Sequence, residues 1–278
     1  MRAIDLDALR THVGREETCG DTVRPDALAR FRATLEAHLV APEVATVPPG
    51  FHWTLFQPLT PTRALREDGH PVSIGLLPEM PLPARMWAGG ELEFLGQLRP
   101  GDTLERTSRV ASIDLKSGRA GPLLFVSIAH EIRRGDDTLV RETQTLVYRE
   151  PSPPKPAPPV ETGEPGPDAF VADSRLLFRY SALTFNTHRI HYDAAYARDV
   201  EGYRGLVVHG PLQATLLMNA LARHLGHTRF RFSYRGRAPL FAGEAAQLHI
   251  ETGEAHMARA PGDVTMTARF NAAGPAQG

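Results

Sequence analysis

Residues 180–226 read YSALTFNTHRIHYDAAYARDVEGYRGLVVHGPLQATLLMNALARHLG, and the fold turns on how this stretch is read. Its last part predicts a helix. Pro211 suits the first helical position, where its missing N–H would have had no intrahelical acceptor, and Gly226 suits a left-handed stop. Between them Leu212, Leu216, Leu217, Met218, Leu221 and Leu225 leave hardly a polar side, so the helix belongs inside the protein. Its first turn carries unpaired amides, Gly210 among them, which sets the positive end of a buried dipole beside His209. Two readings of His209-Gly210-Pro211 stand side by side: a donor set for a developing oxyanion, or simply a tight start to a helix.

The loop before that helix carries the titratable groups. Asn186, His188, Arg189, His191 and Asp193 fall within eight positions. A His-x-x-His pair without further Cys, His or carboxylate at ligand spacing is a poor zinc signature, so no metal is expected. An imidazole near its unperturbed pKa is the usual general acid or base at neutral pH, and each histidine here reads either that way or as a structural residue.

The segment ALTFNTHRIHYD, residues 182–193, resembles without gaps the motif ALSGDxNPxHxD of the hydratase-2 (MaoC-like) family of enoyl-thioester hydratases and 3-hydroxyacyl-thioester dehydratases. VVHGPLQATLL resembles the start of their following helix, usually (I/V)-(A/V)-H-G-(M/P). The resemblance puts His191 in the catalytic His position and Asp193 in that of the trailing acid. Asn186 stands where the family has its catalytic Asp, His188 where it has Asn, and Arg189 where it has Pro. An amide can orient water or a thioester but cannot exchange a proton, so the Asp/His dyad does not carry over whole. With MWAGGELEFLGQLRPGD at 86–102, FNTHRIHYD is similar to a branch holding mitochondrial-type 3-hydroxyacyl-thioester dehydratases and mesaconyl-C4-CoA and itaconyl-CoA hydratases. The resemblance covers most of the chain and implies an α+β double hotdog, two antiparallel sheets each around a helix.

Composition bounds the rest. The 278 residues fit one large or two ordinary domains, with enough core to need no staples. The one cysteine, Cys19, excludes an intramolecular disulfide. The N-terminus is charged, and no apolar run approaches twenty residues, so neither secretion nor membrane insertion is expected and the cytoplasm is the default. Thirty-one basic against thirty-two acidic residues give a formal charge of -1 and no global field toward nucleic acid or an anionic membrane.

Along the chain, 1–24 reads as a cap or loosely held arm, and Pro25 to Val40 as a helix carrying Leu28, Phe31, Leu35 and Leu39. Phe51, Trp53, Leu55 and Phe56 make an apolar floor or lid, as core residues or as lining of an acyl pocket, in which Trp87 is a second candidate. Residues 59–85 read as an ordered loop crossing the surface. Three long strands are expected at 103–114, 122–133 and 138–149, with Leu124, Val126, Ile128 and Ile132 sharing a face. The proline-dense stretch 151–167 divides the chain into an N-terminal half, 1–150, whose helix is degenerate, and a C-terminal half, 168–278. That second half is expected to open with a strand near Ser174 to Ser181. It ends with strands near 246–252 and 263–271, and 272–278 reads as a disordered tail. FSYRGRAPLFAGE at 232–244 echoes LEFLGQLRPGD at 92–102, as a duplication would.

The function implied is reversible addition of water to a 2-enoyl thioester. In that reading His191 is general base and acid, Asn186 orients water, and the Gly210 amide receives the thioester oxyanion. His188, Asp193 and His209 complete the substrate site. Coenzyme A is the expected carrier, an acyl carrier protein the alternative. Arg204, Arg235 and Arg237 are candidates for its phosphates or ordinary solvated arginines. No cofactor is expected, and a homodimer is possible in such a fold. Two other readings stay open: a thioesterase, or a non-catalytic thioester-binding subunit.

Overall fold

Residues 4–73, 75–118, 121–151 and 169–272 are described by a computed structural model. The proline-dense stretch lies outside the described residues except for Pro151, and the tail lies outside them beyond Ala272. A first helix, α1 (Leu6–Arg10), is capped by Asp5, whose carboxylate accepts the Ala8 N–H. The segment expected to be a cap or a loosely held arm then continues as a strand, β1 (Glu16–Thr22). Helix α2 (Pro25–Leu35) opens on its proline as expected and buries one face, Leu28, Phe31 and Leu35. It stops short of Leu39, in a 3-10 turn over Glu36–His38.

Four long strands follow: β2 (Ala84–Phe94), β3 (Thr103–Gly118), β4 (Gly121–Arg134) and β5 (Asp137–Arg149). The second half enters through β6 (Phe170–Val171), and where a strand was expected it forms helix α3 (Ser174–Leu183). The Asp173 carboxylate accepts the Leu176 N–H, and Leu177, Tyr180 and Ser181 are buried at helical spacing, so cap and period override the aromatic, strand-like composition. The short α4 (Ala194–Asp199) and the long α5 (Gly210–Leu225) come next. The sheet closes with β7 (Phe230–Gly236), β8 (Ala245–Glu251), β9 (Glu254–Ala258), absent from the sequence reading, and β10 (Val264–Ala272).

All strands join in one sheet of order β1-β3-β4-β5-β2-β7-β10-β9-β8-β6. The two expected sheets are thus continuous, because β2 and β7 pair antiparallel from Gly89↔Arg235 to Glu93↔Arg231. Glycine is needed at this seam: a Cβ on Gly89 would stand 2.3 Å from the Tyr234 carbonyl oxygen. The echoing segments meet here at their first residues, Leu92 and Phe232, which face each other across the pair.

Helix α5 lies against β2, β7, β8, β9 and β10, with its leucines in one core shared by both parts of the chain. It ends on Gly226 at φ 72, whose N–H reaches the Ala222 carbonyl. Its buried Asn219 ties down the N-terminal segment, accepting from Val40 N–H and donating to the Pro49 carbonyl. Helix α2 instead packs on α3. No helix among the described residues is long and apolar enough to cross a membrane.

Candidate active site

The loop after α3 is held by its own side chains. The Asn186 N–H closes on the Ser181 carbonyl, and its side-chain oxygen accepts the His188 N–H at 2.9 Å. The Asn186 amide group therefore keeps its NH₂ as the available donor. Residues Arg189–His191 form a 3-10 turn. Asp193 caps α4 through the Tyr196 N–H and pairs with Arg189 at 2.8 Å, so it builds the corner and is not among the residues that line the cavity.

His191 is buried against that corner, and its Nδ1 lies 2.7 Å from the Val207 carbonyl. A carbonyl only accepts, so the neutral ring carries its proton on Nδ1 and presents an unprotonated Nε2. Burial first, then the neighbouring His209 and His188, hold its pKa well below the ordinary imidazole value, which keeps it neutral at neutral pH. Its ring stacks on His209 with centroids 3.6 Å apart. His209 bonds Ser181 Oγ through Nε2 at 2.9 Å and is pushed down to about 3 by burial and then by His188. The next residue is Gly210, whose N–H has no acceptor among the described residues and on which an added Cβ would meet nothing within 4 Å. A neutral imidazole thus stacks on the residue that directly precedes the open helix-start amide.

The N-terminal half reaches this loop through residues that the sequence reading left as surface. The Arg189 N–H donates to the Asp68 carbonyl and Thr187 Oγ1 to the Gly69 carbonyl. Gly69 sits at φ 89, and a Cβ there would lie 1.7 Å from the Thr187 oxygen. Asp68 bonds His70 Nδ1 at 3.0 Å, and the His70 ring lies 4.0 Å from that of His188, itself 5.4 Å from His191. Burial, then the Arg85 guanidinium, hold His70 down at about 3. Asp68, His70 and His188 offer one donor atom each within 4.8 Å of one another, a set able to take a cation, although Arg85 beside His70 opposes one.

A cavity of about 1980 Å³ joins these groups. Asn186, His188, His191, His209 and Gly210 line it, as do Asp68, His70, Trp53, Trp87 and the exposed Arg235 and Arg237. Arg204 is not among its lining residues and pairs with Glu244, which also holds Arg259. Trp53 and Trp87 meet edge to face at 5.6 Å, and the Trp53 Nε1–H donates to Glu142 at 2.9 Å. The Asp68-Gly69-His70 tripeptide was the available signal for the missed group, since two titratable residues flanking a glycine suit a tight turn bearing chemistry.

One continuous antiparallel sheet around a buried central helix defines a protein of the double-hotdog class. HtdX of Mycobacterium tuberculosis superposes with TM-score 0.66 at 15% identity, covering 93% of this chain and 100% of that one. A second M. tuberculosis protein, described as a double hotdog, superposes with TM-score 0.53 at 17% identity over 95% of this chain and 96% of its own. Residues 50–242 match the family hydroxyacyl-thioester dehydratase type 2, and the chain belongs to that family of hydro-lyases. Among curated proteins it is 46% identical over 235 residues to mesaconyl-C(4)-CoA hydratase of Chloroflexus aurantiacus, spanning 82% of this chain and 84% of that protein. It is 26% identical over 260 residues to the mitochondrial hydroxyacyl-thioester dehydratase type 2 of Schizosaccharomyces pombe, spanning 81% and 86%.

Proposed function

We propose that His191, Asn186 and Gly210 carry out reversible addition of water to a short 2-enoyl-CoA thioester, and that the acyl group is dicarboxylic, of the mesaconyl kind for which the Chloroflexus relative is named. The observation that carries this reading is the His191 Nδ1 bond to the Val207 carbonyl, which leaves Nε2 as a base next to the unpaired Gly210 amide. Water, oriented by the Asn186 NH₂, gives a proton to Nε2 as its oxygen bonds the β-carbon. The double-bond electrons move to the thioester oxygen, where the Gly210 N–H receives the charge. Nε2–H then returns the proton to the α-carbon. One imidazole thus acts first as base and then as acid, and no carboxylate is required at position 186.

Arg235 and Arg237, exposed at the cavity rim, suit the phosphates of coenzyme A; the pairing of Arg204 with Glu244 favours a structural role for that side chain. We further propose that 1–150 and 168–278 are the two hotdog halves, that the enzyme is cytoplasmic and that it forms a homodimer. Incubation of the purified chain with crotonyl-CoA and with mesaconyl-C4-CoA tests the chemistry. Hydrated product without free thiol is expected; free thiol alone would replace the reading with hydrolysis.

A further inference from the structure

The inner face of the N-terminal sheet is interrupted by a polar belt. On β3, Arg106 and Ser108 stand between Leu104 and Val110; on β4, His130 stands between Ile128 and Ile132; on β5, Glu142 and Gln144 stand between Val140 and Leu146. The register aligns them, with Ser108 facing His130 and His130 facing Glu142. Polar residues on the buried face of three adjacent strands are informative, because an apolar face would pack better.

The belt is satisfied only in part: Ser108 Oγ and His130 Nδ1 lie 2.8 Å apart and Gln144 Nε2 donates to Glu142 at 2.9 Å, but further polar atoms in and beside it are left over. Among the described residues, Arg106 Nε, Trp87 Nε1, Tyr234 OH, His52 Nε2 and His130 Nε2 are buried without a hydrogen-bond partner, and all five residues line the cavity. They gather around Glu142: His52 Nε2 is 3.8 Å from its carboxyl, Tyr234 lies beside both it and Trp87, and Arg106 lies close enough to act on its charge. Arg106 has no ion pair among the described residues and rests over the Phe56 ring at 4.9 Å. Arginine Nε and indole Nε1 only donate, so these two atoms call for an acceptor brought to the wall. An alkyl chain pressed against it would strip its donors of water and return nothing.

We infer that this wall reads the acyl group of the substrate, taking a second, free carboxylate with Arg106 as its counter-ion and with Trp87 and Tyr234 as neutral donors. The assignment rests on the hydratase reading and makes Arg106 a specificity-determining residue. Glu142 is compatible with it, since burial pushes its carboxyl up to about 7 and leaves it largely uncharged on the acid side of neutrality, when an anion arrives.

The test compares kcat/KM of wild type, Arg106→Met and Arg106→Lys on mesaconyl-C4-CoA, crotonyl-CoA and 2-octenoyl-CoA, with melting curves confirming that each variant folds. The wild type is expected to prefer the dicarboxylic thioester over octenoyl-CoA at least 100-fold. Arg106→Met should lower the mesaconyl-to-crotonyl ratio by a factor on the order of 100, with Arg106→Lys recovering part of it. An equal fall on all three substrates, or octenoyl-CoA turned over as well as mesaconyl-C4-CoA, overturns the assignment. If no thioester is hydrated, the hydratase reading fails, and calorimetry still decides the pocket. Tighter binding of mesaconyl-C4-CoA than of crotonyl-CoA, lost in Arg106→Met, supports it, and equal affinities refute it.

Discussion

The two halves of the sheet each face a helix or a cavity, and they spend their polar groups differently. In the C-terminal half several buried polar groups near α5 are matched, His191 with the Val207 carbonyl, His209 Nε2 with Ser181, and Thr265 with Gln213, while His209 Nδ1 and Tyr234 OH are not. In the N-terminal half, α2 withdraws onto α3, and the strands open a chamber whose donors lack partners. A matched network fixes geometry, whereas donors facing a cavity remain free to bond whatever fills it. In the proposed reaction the contrast would separate holding the base in place from choosing what is brought to it.

The contrast is most sharply tested at His191. His191→Ala should lower kcat by roughly 10²–10⁴ with little change in KM, the range for losing a general acid–base group. If His191→Ala turned over normally while His188→Ala was dead, the alignment of the loop would shift by three residues. Because the folded pKa of His191 lies well below 6.5, the neutral base persists through neutral pH; the acid limb of kcat/KM should fall well below 6.5 and vanish in the variant. Next in size is Gly69→Ala. A Cβ driven against the Thr187 oxygen, at a φ that only glycine readily adopts, displaces the loop from its N-terminal support. Misplacement on the order of 1 Å corresponds to about a 10²-fold loss of kcat, read by steady-state kinetics with coenzyme A binding as the control.

Asn186→Ala should cost roughly 10–100-fold in kcat, since its NH₂ is proposed to position water and its oxygen accepts the His188 N–H. Asn186→Asp keeps that acceptor and adds a carboxylate to the cavity that His191 also lines, and it should retain or raise activity. The smallest effect is on stability. Glu142 titrates near 7 when folded and near 4.5 when unfolded, so the folded state binds the extra proton between those values. Stability therefore declines as pH rises through that window. Glu142→Gln should remove the decline, worth at most about 3 kcal/mol at neutral pH and visible in denaturant midpoints measured from pH 5 to 8.

Helix α5 was legible because its signals are local: Pro211, a leucine-rich run and Gly226 lie within one stretch. The strands β3 to β5 were legible for the same reason, their apolar period being 2 over long runs. Helix α3 was not, since SRLLFRYSAL suits either period and the deciding Asp173 cap lies just outside it. The five residues of β9 are too few to show an alternation. In the site, the order Asn186, His188, His191 could be read along the chain, but Asp68 and His70 reach it from more than a hundred residues away. The belt of Arg106, His130 and Glu142 left a trace, polar residues at inward positions, yet which face of each strand looks inward is set only by the strands packed together.

The seam between β2 and β7 bears on how the chain can be divided. Cut between residues 151 and 168, each fragment would carry a bare strand, with the backbone groups of Gly89 to Glu93 on one and Arg231 to Arg235 on the other left without their partner. Each would also expose apolar side chains from a core built by both. Produced separately, the fragments should precipitate; produced in the same cell, they should dock through those five residue pairs, so that an affinity tag on one retrieves the other with hydratase activity. The enzyme would then be a natural two-piece reporter, its turnover measuring whether two fused proteins have met.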